Sequence, residues 1–288
     1  MNDNIVLYQK PELRSPVLLL GFSGWMNSGE VSTATIGYLV SKLAAEEFAT
    51  IESENFYIEN FPGNMEIASM FRPKTKIEGG IVKSYQDSVN RFFFDEKNNL
   101  LLFSGKEPHF NWQKFCDSVF ELCDEFGVSR IYFIGSVAGL VPHTREPRLH
   151  CSVSDEKMKE YLDELGFNFT DYEGPASIIT KLTVEARRRN KSMAVFVVAV
   201  PAYVQGNNPM ALEAVIRCLK RILGLQIDIN ELVQLGEAFQ DKIEEVVKNE
   251  PELAENIQKL EENYDNEVFD EDMGDLKQWL KDKGVKVD

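Results

Sequence analysis

The chain has 288 residues, 43% of them hydrophobic and 27% charged, an ordinary globular balance with enough apolar material for a large core. Its net charge of −16 is concentrated at one end: from Asp228 onward 19 acidic residues stand against 7 basic ones, so the tail carries −12 and the first 227 residues only −4. Phosphate contacts need Lys and Arg, so this charge excludes a nucleic-acid surface on the tail and leaves solubility or a basic partner as its use.

In chain order, the first apolar run is Val17 to Phe22, read as a strand, followed by a helix from about Ser28 to Phe48. Asn27 with Glu30 three residues later has the spacing of a capping box. Ile51 to Ile58 reads as a strand, and Asn60 to Pro73 as a loop with a short helix around Met65 to Met70. Ile81 to Tyr85, Arg91 to Asp95 and Leu100 to Phe103 follow closely, with breaks at Asp87-Ser88 and Lys97 to Asn99, so hairpins and a mixed sheet are expected. Trp112, Phe115, Cys116, Val119, Phe120, Cys123 and Phe126 form one apolar stripe on a helix. Asn111 stands as its N-cap, and Gly127 where a left-handed C-terminal cap belongs.

Val128 to Ile134 is the next strand. Ser154 to Leu165 reads as an exposed helix closed by Gly166, and Pro175 as the start of a helix reaching about Asn190. Met193 to Val200 is a central strand, and Asn208-Pro209 opens a helix ending at Gly224. Beyond it lie three acidic helices, Asn230 to Lys248, Pro251 to Tyr264 and Gly274 to Lys283. The division is therefore an α/β core over 1–227 and an acidic helical appendage over 228–288.

Cys116, Cys123, Cys151 and Cys218 form no CxxC pair or metal-ligand spacing, and no disulfide or structural metal is expected. The amino terminus has no basic segment leading into an apolar core. The longest apolar run, Met193 to Val204, contains Pro201 and is too short to span a bilayer. A soluble, cytoplasmic protein without a membrane or nucleic-acid partner is expected.

Four apolar runs break abruptly into polar loops: SGWMNSG after Phe22, SGKEPHFNW after Phe103, GSVAGLVPHTREP after Ile134, and PAYVQGNNP after Val200. In a parallel sheet such loops meet at one edge, where ligands bind. They would gather Trp25, Asn27, Lys106, Glu107, His109 and His143 with Thr144, Arg145, Tyr203, Asn207 and Asn208. Three of the loops feed helix amino ends, which attract anions, so an anionic or phosphate-bearing small molecule is one candidate ligand. His143 could carry a proton, and Glu107 could orient it or a ligand hydroxyl. Equally, Asn27 could be a simple cap and Arg145 could pair with Glu146 or with another subunit. No G-x-S-x-G, Walker A or G-x-G-x-x-G pattern is present, so no cofactor is expected.

The segments Gly24-Trp25-Met26-Asn27-Ser28-Gly29, Gly105-Lys106-Glu107-Pro108 with Trp112, and Val141-Pro142-His143-Thr144-Arg145 resemble the proteasome assembly chaperone 2 family, in its prokaryotic branch. So do Tyr172-Glu173-Gly174-Pro175 and the stretch from Pro201-Ala202-Tyr203-Val204 to Asn208-Pro209-Met210-Ala211. The resemblance covers about residues 17–235. It implies a three-layer α/β/α sandwich with a mixed, largely parallel sheet, similar to nucleoside phosphorylase- and hydrolase-like folds. It also implies a homo-oligomer, with a trimer as the expected state, and a chaperone-like role with a protein client. Family members often carry an Asp near Asn27-Ser28; its absence here weighs against catalysis from that loop. Eukaryotic relatives dock through a hydrophobic-Tyr-any-residue carboxy terminus; this sequence ends Lys286-Val287-Asp288, and that docking is not expected. The alternative function is a phosphorylase- or hydrolase-like enzyme acting on a nucleoside-like or phosphorylated small molecule.

Overall fold

A computed structural model describes residues 3–69, 71–86, 88 and 90–282, without the side chains of Gln86 and 268–282. Met70, Asp87, Lys283 and the Lys286 to Asp288 terminus, each part of an expectation above, lie outside the described residues.

Among them, eleven strands alternate with eight α-helices in one α/β arrangement. The strands are β1 (Ile5–Leu7), β2 (Val17–Ser23), β3 (Glu46–Ile51), β4 (Lys74–Glu78), β5 (Ile81–Gln86), β6 (Asn90–Asp95), β7 (Leu100–Lys106), β8 (Arg130–Gly139), β9 (Leu149–Val153), β10 (Asn168–Phe169) and β11 (Ser192–Pro201). The helices are α1 (Val31–Leu43), α2 (Met65–Ser69), α3 (Trp112–Glu125), α4 (Glu156–Glu164), α5 (Ile178–Arg188), α6 (Pro209–Leu223), α7 (Asn230–Lys248) and α8 (Pro251–Asp282). Nine strands form one sheet in the order β1-β3-β6-β7-β2-β8-β11-β9-β10. Its centre, β7-β2-β8-β11, is wholly parallel; β6, β3 and β1 join antiparallel on one side, and on the other β9 is antiparallel to β11 and β10 parallel to β9.

The central strands read as unbroken apolar runs because both their faces are covered. On one face Leu18, Leu20 and Phe22 of β2, Phe103 of β7, Ile131 and Phe133 of β8 and Val195 of β11 pack against α3 and α5. Phe22 anchors this layer, its ring 4.9 Å from Phe103, 6.0 Å from Phe115 and 6.2 Å from Phe133. On the other face Leu19, Tyr132, Ile134, Phe196 and Val198 meet α1, α4 and α6. Each fully buried Leu or Phe contributes about 1.5–3 kcal/mol relative to exposure.

The local structure departs from the sequence reading in five places. The expected helix to Phe48 stops at Leu43, where Ala44 turns left-handed (φ 51°), and Glu46–Ile51 is strand β3. Pairing with β6 and β1 wins there, because it places Phe48 against Phe92, Phe94 and Phe126. The strand expected over Ile51 to Ile58 is thus displaced toward the amino terminus. Asn111 does not cap α3: it is left-handed (φ 58°), and its amide donates to the Asn55 carbonyl (2.7 Å). Helix α5 begins at Ile178, behind a Ser177 cap, and not at Pro175. The two outer tail helices are one continuous helix, α8.

Gly127, Gly166 and Gly224 have φ of 62°, 74° and 68° behind α3, α4 and α6, as their positions require. β4 and β5 form a separate two-stranded sheet around Gly79-Gly80, whose positive φ values suit a tight hairpin turn. Ile77, Ile81, Val82 and Tyr85 on this hairpin are each more than half exposed.

Candidate functional site

Because β7, β2, β8 and β11 are parallel neighbours, the loops after Lys106, Ser23, Gly139 and Pro201 emerge along one edge. The loop after β2 is stitched onto β8: Ser136 donates its N–H to the Met26 carbonyl (3.0 Å) and its hydroxyl to the Ser28 carbonyl (2.6 Å). Within this edge the expected site residues divide into three groups.

The first surrounds Glu107. Its carboxylate accepts from the Trp25 N–H (2.8 Å) and from the Ile178 N–H (3.3 Å), so it ties the β2 loop to the amino end of α5. Gly24 (φ 139°) permits this, since a Cβ there would lie 2.7 Å from the Glu107 Cβ. Neither hydrogen bond involves His143. Trp25 itself is 68% exposed.

The second group is Lys106 with His109. The Lys106 ammonium lies over the Tyr57 ring (5.5 Å), and burial pushes its pKa down while Glu59 opposes. His109 Nδ1 accepts from the Ile58 N–H (2.9 Å), and burial, then Lys106, lowers its pKa.

The third is built on the stretch after β8. His143 is buried, its N–H donates to Tyr203 Oη (2.8 Å), and its Nδ1 lies 2.8 Å from the same oxygen. Tyr203 Oη accepts the backbone proton, and which of the Oη–Nδ1 pair donates follows from the ring's tautomer. The His143 Nε2 has no partner among the described residues. Burial pushes the His143 pKa down, with Glu244 and Glu261 opposing. Thr144 donates to Glu261, and Arg145 forms a two-point pair with Asp265, Nε to Oδ1 and Nη2 to Oδ2, both 2.8 Å. Tyr264 donates to the Glu146 carbonyl (2.6 Å). The acidic tail thus lies on this loop through α8. α7 is fixed by Glu231, which accepts from Tyr38 (2.7 Å) and Lys42. His143, Arg145 and Asn208 line a narrow cleft of about 70 Å³ roofed by Tyr264 and Glu267.

The helix amino ends at this edge carry their own acceptors. Asn208 Oδ1 takes the Ala211 N–H of α6 (2.9 Å). Asn27 Oδ1 takes the Thr33 N–H of α1 (3.1 Å), which replaces the Asn27–Glu30 box; Glu30 is left-handed (φ 56°). Asn207 is exposed beside the edge.

His150 was missed. It lies at the start of β9, which runs antiparallel to β11 and so begins at the loop edge. The signal was the alternation Leu149-His150-Cys151-Ser152-Val153, apolar and polar by turns. His150 and Ser152 line a second cavity of about 370 Å³ with Trp25, Tyr172 and Thr180. Among the described residues no group of three His, Cys, Asp or Glu could hold a metal ion, and no helix is long and apolar enough to cross a membrane.

The sequence profile of the PAC2 family matches residues 21–247. The chain belongs to the PAC2 family. A PAC2 family protein from Streptomyces avermitilis is 25% identical and superposes with a TM-score of 0.71 over 84% of this chain and 99% of its own. A Mycobacterium tuberculosis protein described as a proteasome-assembly chaperone homologue is 24% identical, with a TM-score of 0.73 over 84% of this chain and 99% of its own. A second M. tuberculosis protein, of unknown function, is 22% identical with a TM-score of 0.83 over 96% of this chain and 94% of its own. No curated protein sequence matches the chain. The stretch after β8 on which α8 lies falls within the matched residues.

Proposed function

We propose that this PAC2 protein is an assembly factor that binds other protein chains, in the cytoplasm and as a homo-oligomer, for which a trimer is the expected state. The carrying observation is the β4–β5 hairpin, which pairs only with itself in the sheet pattern and presents Ile77, Ile81, Val82 and Tyr85 to solvent. A lone two-stranded hairpin is marginal in water, and exposed apolar patches mark interaction surfaces. The description of one M. tuberculosis relative as a proteasome-assembly chaperone homologue supports the same reading. In it, residues 1–227 form the working core and 228–288 an acidic appendage.

The test is a photo-crosslinker in place of Tyr85. The reading expects a discrete adduct with a defined protein, lost when Ile81 and Val82 are changed to Glu. No adduct, or one indifferent to those changes, counts against it. Light scattering on the purified protein gives the oligomeric state directly.

A phosphorylase- or hydrolase-like enzyme, with the nucleoside phosphorylase-like likeness that implies, is the second reading. It is favoured by one observation, the buried His143 Nε2 without a hydrogen-bond partner beside Arg145. The ligand would be an anionic small molecule held at the loop edge by Trp25, Asn27, Lys106, Glu107, His143, Thr144, Arg145, Tyr203, Asn207 and Asn208. Thermal shift with inorganic phosphate and phosphate esters tests it, since a ligand of the folded state raises the melting temperature. A shift that persists in His143→Ala places the ligand elsewhere.

A further inference from the structure

The cavity of about 370 Å³ beside α5 has a construction unlike the cleft at His143. Its floor is the open end of the sheet, where Val195, Val197 and Ala199 of β11 alternate with the buried residues of the opposite face. One wall is the first turns of α5, with Ile179, Thr180 and Thr183. The mouth is made by residues of two separate loops. Trp25 comes from the loop after β2, and Tyr172 and Pro175 come from the segment before α5. Trp25 is 68% and Tyr172 70% exposed, an unusual state for two large rings at the same opening. Tyr172 is nonetheless fixed: its hydroxyl donates to the Pro175 carbonyl (3.1 Å), and its ring crosses Gly174, where a Cβ would lie 2.5 Å from that hydroxyl.

The polar groups of the cavity are few. The Ser177 hydroxyl accepts from the Ile179 N–H (3.2 Å), and Thr183 donates to the Ile179 carbonyl (2.8 Å), so both are occupied. His150, Ser152 and Thr180 line the space without a side-chain hydrogen bond among the described residues. No Asp, Glu, Lys or Arg lines it. The amino end of α5, which would otherwise attract an anion, holds the Glu107 carboxylate at the Ile178 N–H. A charged ligand would leave water without a permanently charged partner, whereas a neutral one would find apolar walls, two rings at the mouth and a small set of donors and acceptors. Volume, apolar lining and a few convergent polar groups are the marks of a small-molecule site.

We propose that this cavity is a binding site for an uncharged, ring-containing small molecule. Trp25 and Tyr172 would cover the faces of the ring, and His150, Ser152 and Thr180 would meet its hydrogen-bonding edge. The site is separate from the hairpin and independent of the assembly role, so either proposal can fail alone.

The test uses the full chain with labelled Val, Ile and Thr methyl groups in solution NMR, and three probes: indole, benzimidazole and benzoate, the last of similar size but anionic at neutral pH. The expected result is saturable shifts of Val195, Val197 and Thr180 methyls with indole or benzimidazole, and binding of benzoate at least about tenfold weaker, because a buried charge here goes unpaired. Thr180 is exposed, so Thr180→Trp fills the space without burdening the core, and its methyl spectrum reports that it is folded. That variant should lose the shifts. Absence of saturable shifts with both neutral probes, equal binding of benzoate, or shifts surviving in folded Thr180→Trp would each overturn the proposal.

Discussion

Arg145 and Asp265, 120 residues apart, are joined by two parallel hydrogen bonds of 2.8 Å. The pair fastens the acidic helix α8 to the loop that follows β8, and Glu261 reinforces it by accepting from Thr144 and Arg145. The most basic part of the candidate edge is thereby neutralised by the chain itself.

Asp265→Asn should loosen α8 from the loop without unfolding the core, because both partners are substantially solvated and such pairs act locally. Hydrogen exchange of α8 amides should accelerate several-fold while those of β8 and β11 are unchanged. Added salt should reproduce the effect in the native protein. The Arg145 bonds hold the Asp265 pKa below its ordinary value of 3.8. This contribution is therefore present above that value and lost as pH falls through the lower, folded-state one.

His143 sets a pH dependence of its own. Burial holds its pKa below the ordinary 6.5, so the unfolded chain takes up a proton that the folded chain refuses. Stability from this group is present above 6.5 and declines as pH falls below it. His109 has the same sign, so His143→Phe should reduce the slope of melting temperature against pH in mildly acidic buffer, not abolish it. An unchanged slope would show that folding does not shift the titration of this ring.

Glu107→Ala leaves the N–H groups of Trp25 and Ile178 without their acceptor, and should lower stability by about 1–3 kcal/mol in denaturant unfolding. Gly24→Ala attacks the same junction from the other side. Its φ of 139° and the 2.7 Å approach of Glu107 predict a loss of about 1–3 kcal/mol. Because both act on one contact, the double variant should cost less than the sum.

Val82→Glu on the hairpin should shift stability by no more than about 0.5 kcal/mol, since the side chain is exposed. Its effect should appear in protein binding alone. A large loss of stability would instead place the hairpin against the protein's own surface.

The central strands were legible because each is buried on both faces and bounded by turn formers, and their parallel order brought the four loops to one edge as the spacing implied. The sheet margins were not. Phe48 reads as the end of the helix that starts near Ser28 until its pairing partners in β6 supply a competing position for it. The site was legible as a set of loops but not as a set of contacts. Arg145 gives no local sign that its partner is Asp265, and Glu107 none that it serves two backbone N–H groups. His150 escaped because β9, five residues long and bounded by no clear break, was not read as a strand.

The nine-stranded sheet ends in β1, three residues long, at one side and in β10, two residues long, at the other. Edges that short offer almost no row of open backbone groups to a passing chain. A long bare edge would invite an extended chain to pair with it and seed aggregates. The nine-stranded ladder is thus closed to templating at both ends, and the longer unpaired strand edges belong to the separate β4–β5 hairpin.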